Sequence, residues 1–309
     1  MKIYFVDFWP AFDINNNFIT KRLIQNKYTF SIDPNPDFLF CSSFGHSHFK
    51  YENCIKIYFT GENNVPDFNI YDYGIGFHHI QFQDRYLRFP LYLWNENLYK
   101  SLSEKKLEEN ILNRKFCNFL YTNNKQADPI REKFFIALNK YKKVDSGGRF
   151  LNNLGHGVKN KFSFIQDYKF TIAFENSSVS GYTTEKLVDP MSVNSLPIYW
   201  GNPDVNLDFN INSILHLKNE NQIEEIIAQI IYLDTNDVAY SKKLKEPWLK
   251  NNLTLETWIE KLDIFLHNIF KTSSRRITTY GYNSFYFTEQ KFASRFLDFP
   301  IIRKIVKNI

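Results

Sequence analysis

"YKFTIAFENSSVSGYTTEKLVDP", residues 168–190, joins an apolar run, a loop of small polar residues and a helix start. The run 168–176 predicts a strand with Phe170, Ile172 and Phe174 on one face, because strand side chains alternate. After the loop, "TTEKLVD" predicts a helix that opens near Thr183 or Thr184. In open α/β sheets, ligands bind outside the carboxyl ends of the strands. A helix N-terminus offers unpaired N–H groups and a partial positive charge to an anion. Glu185 suits that position and could accept from a sugar or ribose hydroxyl. Lys186 is the anomaly, since a cation in the first turn opposes the helix dipole unless it meets an anion such as a diphosphate. A capped surface helix with a solvated Glu–Lys pair accounts for the same spacing, so the stretch alone leaves both readings open. Pro190 predicts a short helix, because an interior proline removes a donor and kinks the chain.

The same alternation extends outward. "KIYFVDF" (2–8), "PDFLFCS" (36–42), "IKIYFTGEN" (55–63), "KFCNFLYT" (115–122) and "SLPIYWG" (195–201) read as strands, short and rich in aromatic or β-branched residues. Helical patterns fall at 18–28, 103–116, 128–141, 221–233 and across most of 246–270. At 128–141, Asp128 caps and Pro129 occupies the first turn. Strands alternating with helices predict parallel α/β layers. The Gly/Asn-rich stretch 144–160 marks a join. The expected organisation is therefore two Rossmann-like halves, 1–143 and 144–271, followed by a tail, 272–309.

Composition narrows the function classes. The chain has 309 residues, of which 43% are hydrophobic and 18% aromatic. Cys41, Cys54 and Cys117 are widely spaced with no CxxC, which argues against a disulfide framework or a cysteine zinc site and predicts a reducing compartment. The apolar run before Asp7 is too short for a signal peptide, and no run approaches the roughly 20 residues that span a bilayer. The net charge is +5, and 272–309 holds seven basic residues against two acidic ones, the whole of the excess. Residues 1–271 are neutral overall, which disfavours nucleic-acid binding. The tail mixes those cations with Phe, Tyr, Leu and Ile. It reads either as a helix packed on the body or as a peripheral contact with an anionic membrane face.

The region 168–205, "YKFTIAFENSSVSGYTTEKLVDPMSVNSLPIYWGNPDV", resembles the signature of the α-1,3/4-fucosyltransferases, glycosyltransferase family 10. "IYFTGENNVPDFNIYDYGIGF" (57–77), "DRYLRFPLYLW" (84–94), "DPIREKFF" (128–135) and "LGHGVKNK" (154–161) are similar to bacterial members, so the resemblance spans roughly residues 1–270. It implies a GT-B fold, GDP-fucose as donor, and inversion at the fucose anomeric carbon. It implies Glu62 of "TGEN" as general base and Arg131 of "PIREKF" at the donor diphosphate. Tyr182, Glu185 and Lys186 of "GYTTEK" match donor-binding positions, and Asn176 falls in the same motif.

Those residue types suit the chemistry. Inverting transfer needs a base for the acceptor hydroxyl proton and cations where charge develops on the departing diphosphate. Without the resemblance, Glu62 reads as a turn residue and Arg131 as a solvated first-turn residue. "GHSH" with His46 and His48, and "HH" at His78 and His79, lie on separate loops without a carboxylate pattern and make a poor metal site. With no DxD motif, no essential metal or other cofactor is expected, a divalent ion at most assisting. His78 and His79 suggest an acceptor-side surface. The expected reaction is fucosyl transfer from GDP-β-L-fucose to an acceptor glycan or glycolipid, with GlcNAc of an N-acetyllactosamine-type chain as acceptor and an α-1,3 linkage. The setting is lipopolysaccharide or surface glycan synthesis, in the cytoplasm or peripherally on the inner membrane face. Two alternatives stay open: the same scaffold using another GDP-sugar, and a non-catalytic nucleotide or glycan binder.

Overall fold

Short strands rich in Phe, Tyr and Ile build two parallel sheets in the computed structural model, which describes residues 1–108, 110–250, 253–277, 281–297 and 299. The first sheet begins with β1 (Lys2–Val6), α1 (Phe18–Gln25), β2 (Ser31–Ile32) and β3 (Phe38–Cys41). It continues with β4 (Ile55–Phe59), β5 (Tyr73–Gly76) and β6 (Tyr86–Arg88). Its strand order is β2-β1-β3-β4-β5-β6, with every pair parallel. β3 and β4 are buried at every residue, as a parallel sheet covered on both faces requires. Asn17 opens α1 with a capping box, accepting from the Thr20 amide while Thr20 Oγ1 accepts from the Asn17 amide.

The second sheet follows α2 (Glu96–Ser103). It contains β7 (Lys115–Phe119), α3 (Ile130–Tyr141), β8 (Val144–Ser146), α4 (Lys161–Ile165) and β9 (Tyr168–Phe174). α5 (Glu185–Ser192), β10 (Leu196–Trp200), β11 (Leu215–His216), α6 (Ile223–Thr235) and α7 (Asp237–Lys245) complete it. The order is β11-β10-β9-β7-β8, again all parallel. Both sheets therefore place their first strand between their second and third. The winding direction reverses beside that strand, and a crevice opens there at the carboxyl ends. A buried polar row, Asn118 to Thr171 to Ser195, ties β7, β9 and the start of β10 by side-chain hydrogen bonds of 2.7 Å.

Three expectations are corrected. The division at 143/144 falls inside the second sheet, where Cys117 of β7 pairs with Val144 of β8. The first unit comprises residues 1–76, 80–89 and 259–309, and the second 77–79 and 90–258. The reason is that β7 and α3 complete the second sheet, and the Gly/Asn stretch begins with β8 rather than with a linker. Residues 259–271 belong to the first unit: α8 (Leu255–Phe270) sets Asp263 against Arg22, Phe270 against Tyr28 and Phe38, and Phe265 against Tyr73. The helix expected over 103–116 does not form over 104–108: α2 ends at Ser103, and "EKKLE" (104–108) offers Leu107 as its one apolar residue. A 3₁₀ turn at Ile111–Asn113 then leads into β7.

The tail carries α9 (Tyr282–Leu297). Tyr286 and Phe287 pack against a core cluster of the first unit that includes Leu39, Cys41, Phe49, Tyr58 and Tyr71. Tyr282, Phe285, Phe292 and Phe296 are exposed. Residues 301–309 of the expected tail lie outside the described residues. Cys41, Cys54 and Cys117 are buried and unbridged. Among the described residues no helix is long and apolar enough to cross a membrane.

Candidate active site

The crevice between β7 and β9 holds a cavity of about 260 Å³. Its walls come from the segment after β7 (Leu120–Asn123), the first turn of α3, the start of α4, the end of β9 and the start of α5. Arg131, Lys161 and Lys186 line it with a single acid, Glu185. Asn176 lines it as well, so four of the five expected donor-binding residues converge here.

Arg131 reaches this wall because Asp128 fixes the start of α3: its Oδ1 accepts from the Ile130 amide at 2.9 Å, and its amide donates to Asn176 O at 2.9 Å. The guanidinium is fully buried. Nη2 donates to Phe174 O, Glu175 O and Asn176 Oδ1 at 3.1, 2.9 and 2.8 Å, and the group lies 4.1 Å from the Tyr121 ring centre. Its partners are carbonyls and a π face, so its charge is not cancelled by a carboxylate among the described residues, and Nε has no hydrogen-bond partner among them. Arg131 therefore clamps the end of β9 and directs positive potential into the cavity. The expectation of a solvated first-turn arginine is overturned.

Lys186 sits between two acids. Its Nζ is 3.5 Å from Glu175 Oε2 and 3.3 Å from Glu185 Oε1, and it donates to Thr184 Oγ1. Burial works to lower the ammonium pKa, but Glu175 and Glu185 outweigh it and hold Lys186 above its ordinary value. Burial raises the Glu185 carboxyl, and Lys186 with Lys161 reverses this to a net lowering. Glu175 is wholly buried and accepts from the Thr184 amide at 2.8 Å and the Thr184 hydroxyl at 2.7 Å. Burial lifts its pKa against the pull of Lys186. Glu175 thus anchors the N-cap of α5 and orients Lys186. A solvated surface residue does not describe Lys186, whose side chain is mostly buried, whereas the Glu185 side chain stays half exposed.

Sequence reading missed Glu175 and Lys161. Glu175 stood in "FEN", and an acid closing a largely apolar strand was the available signal. Lys161 pairs with the buried Asp189 of α5 and gave no signal beyond its place in "VKNK". Pro190 also lines the cavity, and α5 runs eight residues with that proline inside it.

Tyr182 does not reach the cavity. It is buried in the loop before α5, 4.9 Å from the Phe77 ring, and its carbonyl accepts from Tyr199 OH. Asn202 supports that loop, accepting from the Gly181 amide at 2.8 Å and donating to Thr183 Oγ1 at 3.1 Å. Glu62 belongs to the first unit, exposed just after β4, with its amide bonded to Thr60 Oγ1 at 3.0 Å. His48 is buried in the first unit, where its Nδ1 bonds Asp7 Oδ2 at 2.7 Å. Among the described residues no three His, Cys, Asp or Glu side chains cluster as metal ligands do.

The model of the α-(1,3)-fucosyltransferase FucT N-terminal domain matches residues 3–95, and that of the glycosyltransferase family 10 (fucosyltransferase) C-terminal region matches 111–263. An α-(1,3)-fucosyltransferase FucT of Helicobacter pylori is 33% identical over 93% of this chain and 68% of its own length. The chain belongs to the fucosyltransferases of glycosyltransferase family 10.

Two solved structures extend that similarity to three dimensions. The crystal structure of an α1,3-fucosyltransferase with GDP-fucose superposes with a TM-score of 0.74 at 31% identity, covering 90% of this chain and 92% of the other. The one with GDP gives 0.74 at 31%, covering 89% and 92%. The paired Rossmann-like units are thus those of a GT-B family 10 fucosyltransferase, and the β7/β9 crevice lies within the region matched by the family's C-terminal model.

Proposed function

We propose that this fucosyltransferase takes L-fucose from GDP-β-L-fucose and transfers it, with inversion, to a hydroxyl of an acceptor glycan. The observation that carries the donor assignment is the cavity at the β7/β9 switch point, lined by Arg131, Lys161 and Lys186 with Glu185 as its one lining acid. Arg131 has no carboxylate partner among the described residues, and its charge beside the two lysines suits a diphosphate, whose negative charge grows as it departs. The similarity to an enzyme crystallised with GDP-fucose supports the same donor.

In the proposed step the acceptor oxygen forms a bond to the fucose anomeric carbon. The bond from that carbon to the β-phosphate oxygen breaks, and GDP leaves with the electron pair. Glu62, a solvated carboxylate on the "TGEN" loop, takes the hydroxyl proton. Asn176 and Glu185 hold donor hydroxyls, and Tyr182 supports the donor loop from behind. No divalent ion is proposed as essential, an ion at most assisting beside Arg131, Lys161 and Lys186.

The linkage is proposed to be α-1,3, as the names of the relatives suggest, and the acceptor GlcNAc of an N-acetyllactosamine-type chain. The setting is lipopolysaccharide or surface glycan synthesis on the cytoplasmic side, with the exposed aromatic face of α9 touching the membrane. The test is transfer from GDP-fucose across an acceptor array, with anomeric and linkage analysis of the product and a parallel arm in EDTA. An α-1,3-fucoside is expected, with transfer persisting in EDTA. Transfer from GDP-mannose in preference to GDP-fucose would overturn the donor assignment. GDP binding without product from any donor would favour the binding-protein reading.

A further inference from the structure

A second cavity, of about 520 Å³, lies wholly within the first unit, between α9 and the segment that precedes β4. Arg275, Lys291 and Arg295 line it, with Glu52 as the one acid. Ile277, Phe287 and Phe292 supply apolar wall, and Ser284 and Thr288 supply hydroxyls. Nothing in the transfer reaction uses these residues.

The cations are held in place by the fold. Asp72, fully buried between β4 and β5, accepts from the amides of Arg276 and Ile277 at 2.6 and 3.1 Å. The same carboxylate lies 3.6 Å from Arg275 Nε, and Arg275 Nη1 donates to Glu52 O at 2.7 Å. One edge of the guanidinium is thereby fixed. Its Nη2 is buried and has no hydrogen-bond partner among the described residues. Arg295, exposed at the rim, has no ion-pair partner among them.

Behind Phe287 lies a second unrelieved cation. Lys56 is fully buried, its Nζ is 5.0 Å from the Phe287 ring centre, and Nζ has no hydrogen-bond partner among the described residues. Its charge reaches both Glu52 and Arg275. A buried cation without a partner is costly, and an anion nearby relieves it. A fixed guanidinium with a free edge suits phosphate oxygens in particular. The aromatic and aliphatic wall adds room for an apolar substituent.

We propose that this cavity binds one phosphate ester, its oxygens on Arg275, Lys291 and Arg295 and its organic group against Ile277, Phe287 and Phe292. The site is a stoichiometric pocket, distinct from adsorption of the exposed α9 face to a surface and independent of the donor cavity.

Titration calorimetry of the full chain tests it, with dihexanoyl phosphatidic acid below its micelle concentration, glycerol 3-phosphate, inorganic phosphate, and vesicles containing phosphatidylglycerol. The expected result is saturable 1:1 binding of a monomeric ester, at least tenfold tighter than inorganic phosphate. Arg295→Met, at an exposed position, and Arg275→Met should each weaken it at least tenfold while GDP binding is unchanged. A dihexanoyl ester bound at least tenfold tighter than glycerol 3-phosphate identifies a lipid headgroup. Equal binding of the two identifies a soluble ester. Absence of saturable binding by any monomeric phosphate, adsorption to vesicles alone, or indifference to Arg295→Met would each overturn the proposal.

Discussion

Lys186 opened as a cation in the wrong half of a helix, and its neighbours supply the reason. Glu175 and Glu185 keep it charged, and Thr184 holds its backbone at the helix cap. Lys186→Met should lower kcat for transfer by about 10²–10³-fold, the usual loss when one stabiliser of developing charge is removed. Steady-state kinetics with GDP-fucose checks this, and a kcat within threefold of the parent would remove Lys186 from the diphosphate. Glu62→Gln should reduce kcat by a comparable factor while leaving GDP affinity unaltered, since the carboxylate stands in the other unit. Weakened GDP binding in that variant would refute its assignment as the base. Arg131 makes a structural contribution as well. Arg131→Lys cannot reproduce the fork that satisfies Phe174 O, Glu175 O and Asn176 Oδ1, and should cost about 1–3 kcal/mol in chemical denaturation. Single-residue roles were legible where a motif framed them. Glu175 escaped because its importance lies in what it touches, the Thr184 cap nine residues on.

Elements with strong local periodicity formed where the pattern placed them. α3 and α6 match their patterns to within two residues, because apolar spacing and caps are local properties. The run 103–116 misled because the spacing of Leu107, Ile111 and Phe116 is local, whereas Phe116 is taken by β7, which pairs with β8 and β9. Pro190 was expected to shorten α5 severely. α5 keeps two turns because Leu187, Val188 and Met191 are buried and tertiary packing offsets one lost backbone bond. The end of β10 carries a tighter constraint. Gly201 has φ +150°, and a Cβ there would meet Glu175 Cγ at 2.4 Å. Gly201→Ala should therefore displace Glu175 from the α5 cap, lower stability by about 1–3 kcal/mol and weaken GDP binding. Unchanged melting temperature and GDP affinity in that variant would disprove the coupling between strand end and cap.

Across the whole molecule, burial of titratable groups gives the fold a pH dependence. Lys56 of the first unit is pulled by desolvation from an ordinary pKa of 10.5 to about 8. A base whose folded pKa is depressed contributes stability that is fully present above the unfolded pKa and lost as pH falls through the folded value. The window for Lys56 therefore runs from about pH 10.5 down to about pH 8. Below it, burying the charged ammonium costs about 3 kcal/mol at 1.36 kcal/mol per pKa unit. Lys56→Met should raise stability at pH 7 and leave little difference near pH 10.5, as read from denaturation of parent and variant across that range. A constant difference at all pH values would disprove the linkage. Asp7 and His48 act at the acid end. Burial raises the Asp7 carboxyl, but its bonds from His48 and Ser47 reverse this to a net lowering, whereas burial lowers the His48 imidazole despite Asp7. Both depressed values mean stability lost as pH falls.

By itself, the sequence determined the α/β class, most strands, the capped helices and the family signature at 168–205. These depend on neighbours within a few residues, where side-chain alternation and capping act. Tertiary structure decided where the units divide, because β7 hydrogen-bonds to β8 and β9, and residues 259–297 return to the first unit through Asp263, Phe270 and Phe287. It also decided which charges matter. Glu175, Lys161, Lys56 and Asp72 look like ordinary residues in the sequence, and they acquire their roles from burial and from partners distant along the chain, which no local pattern records.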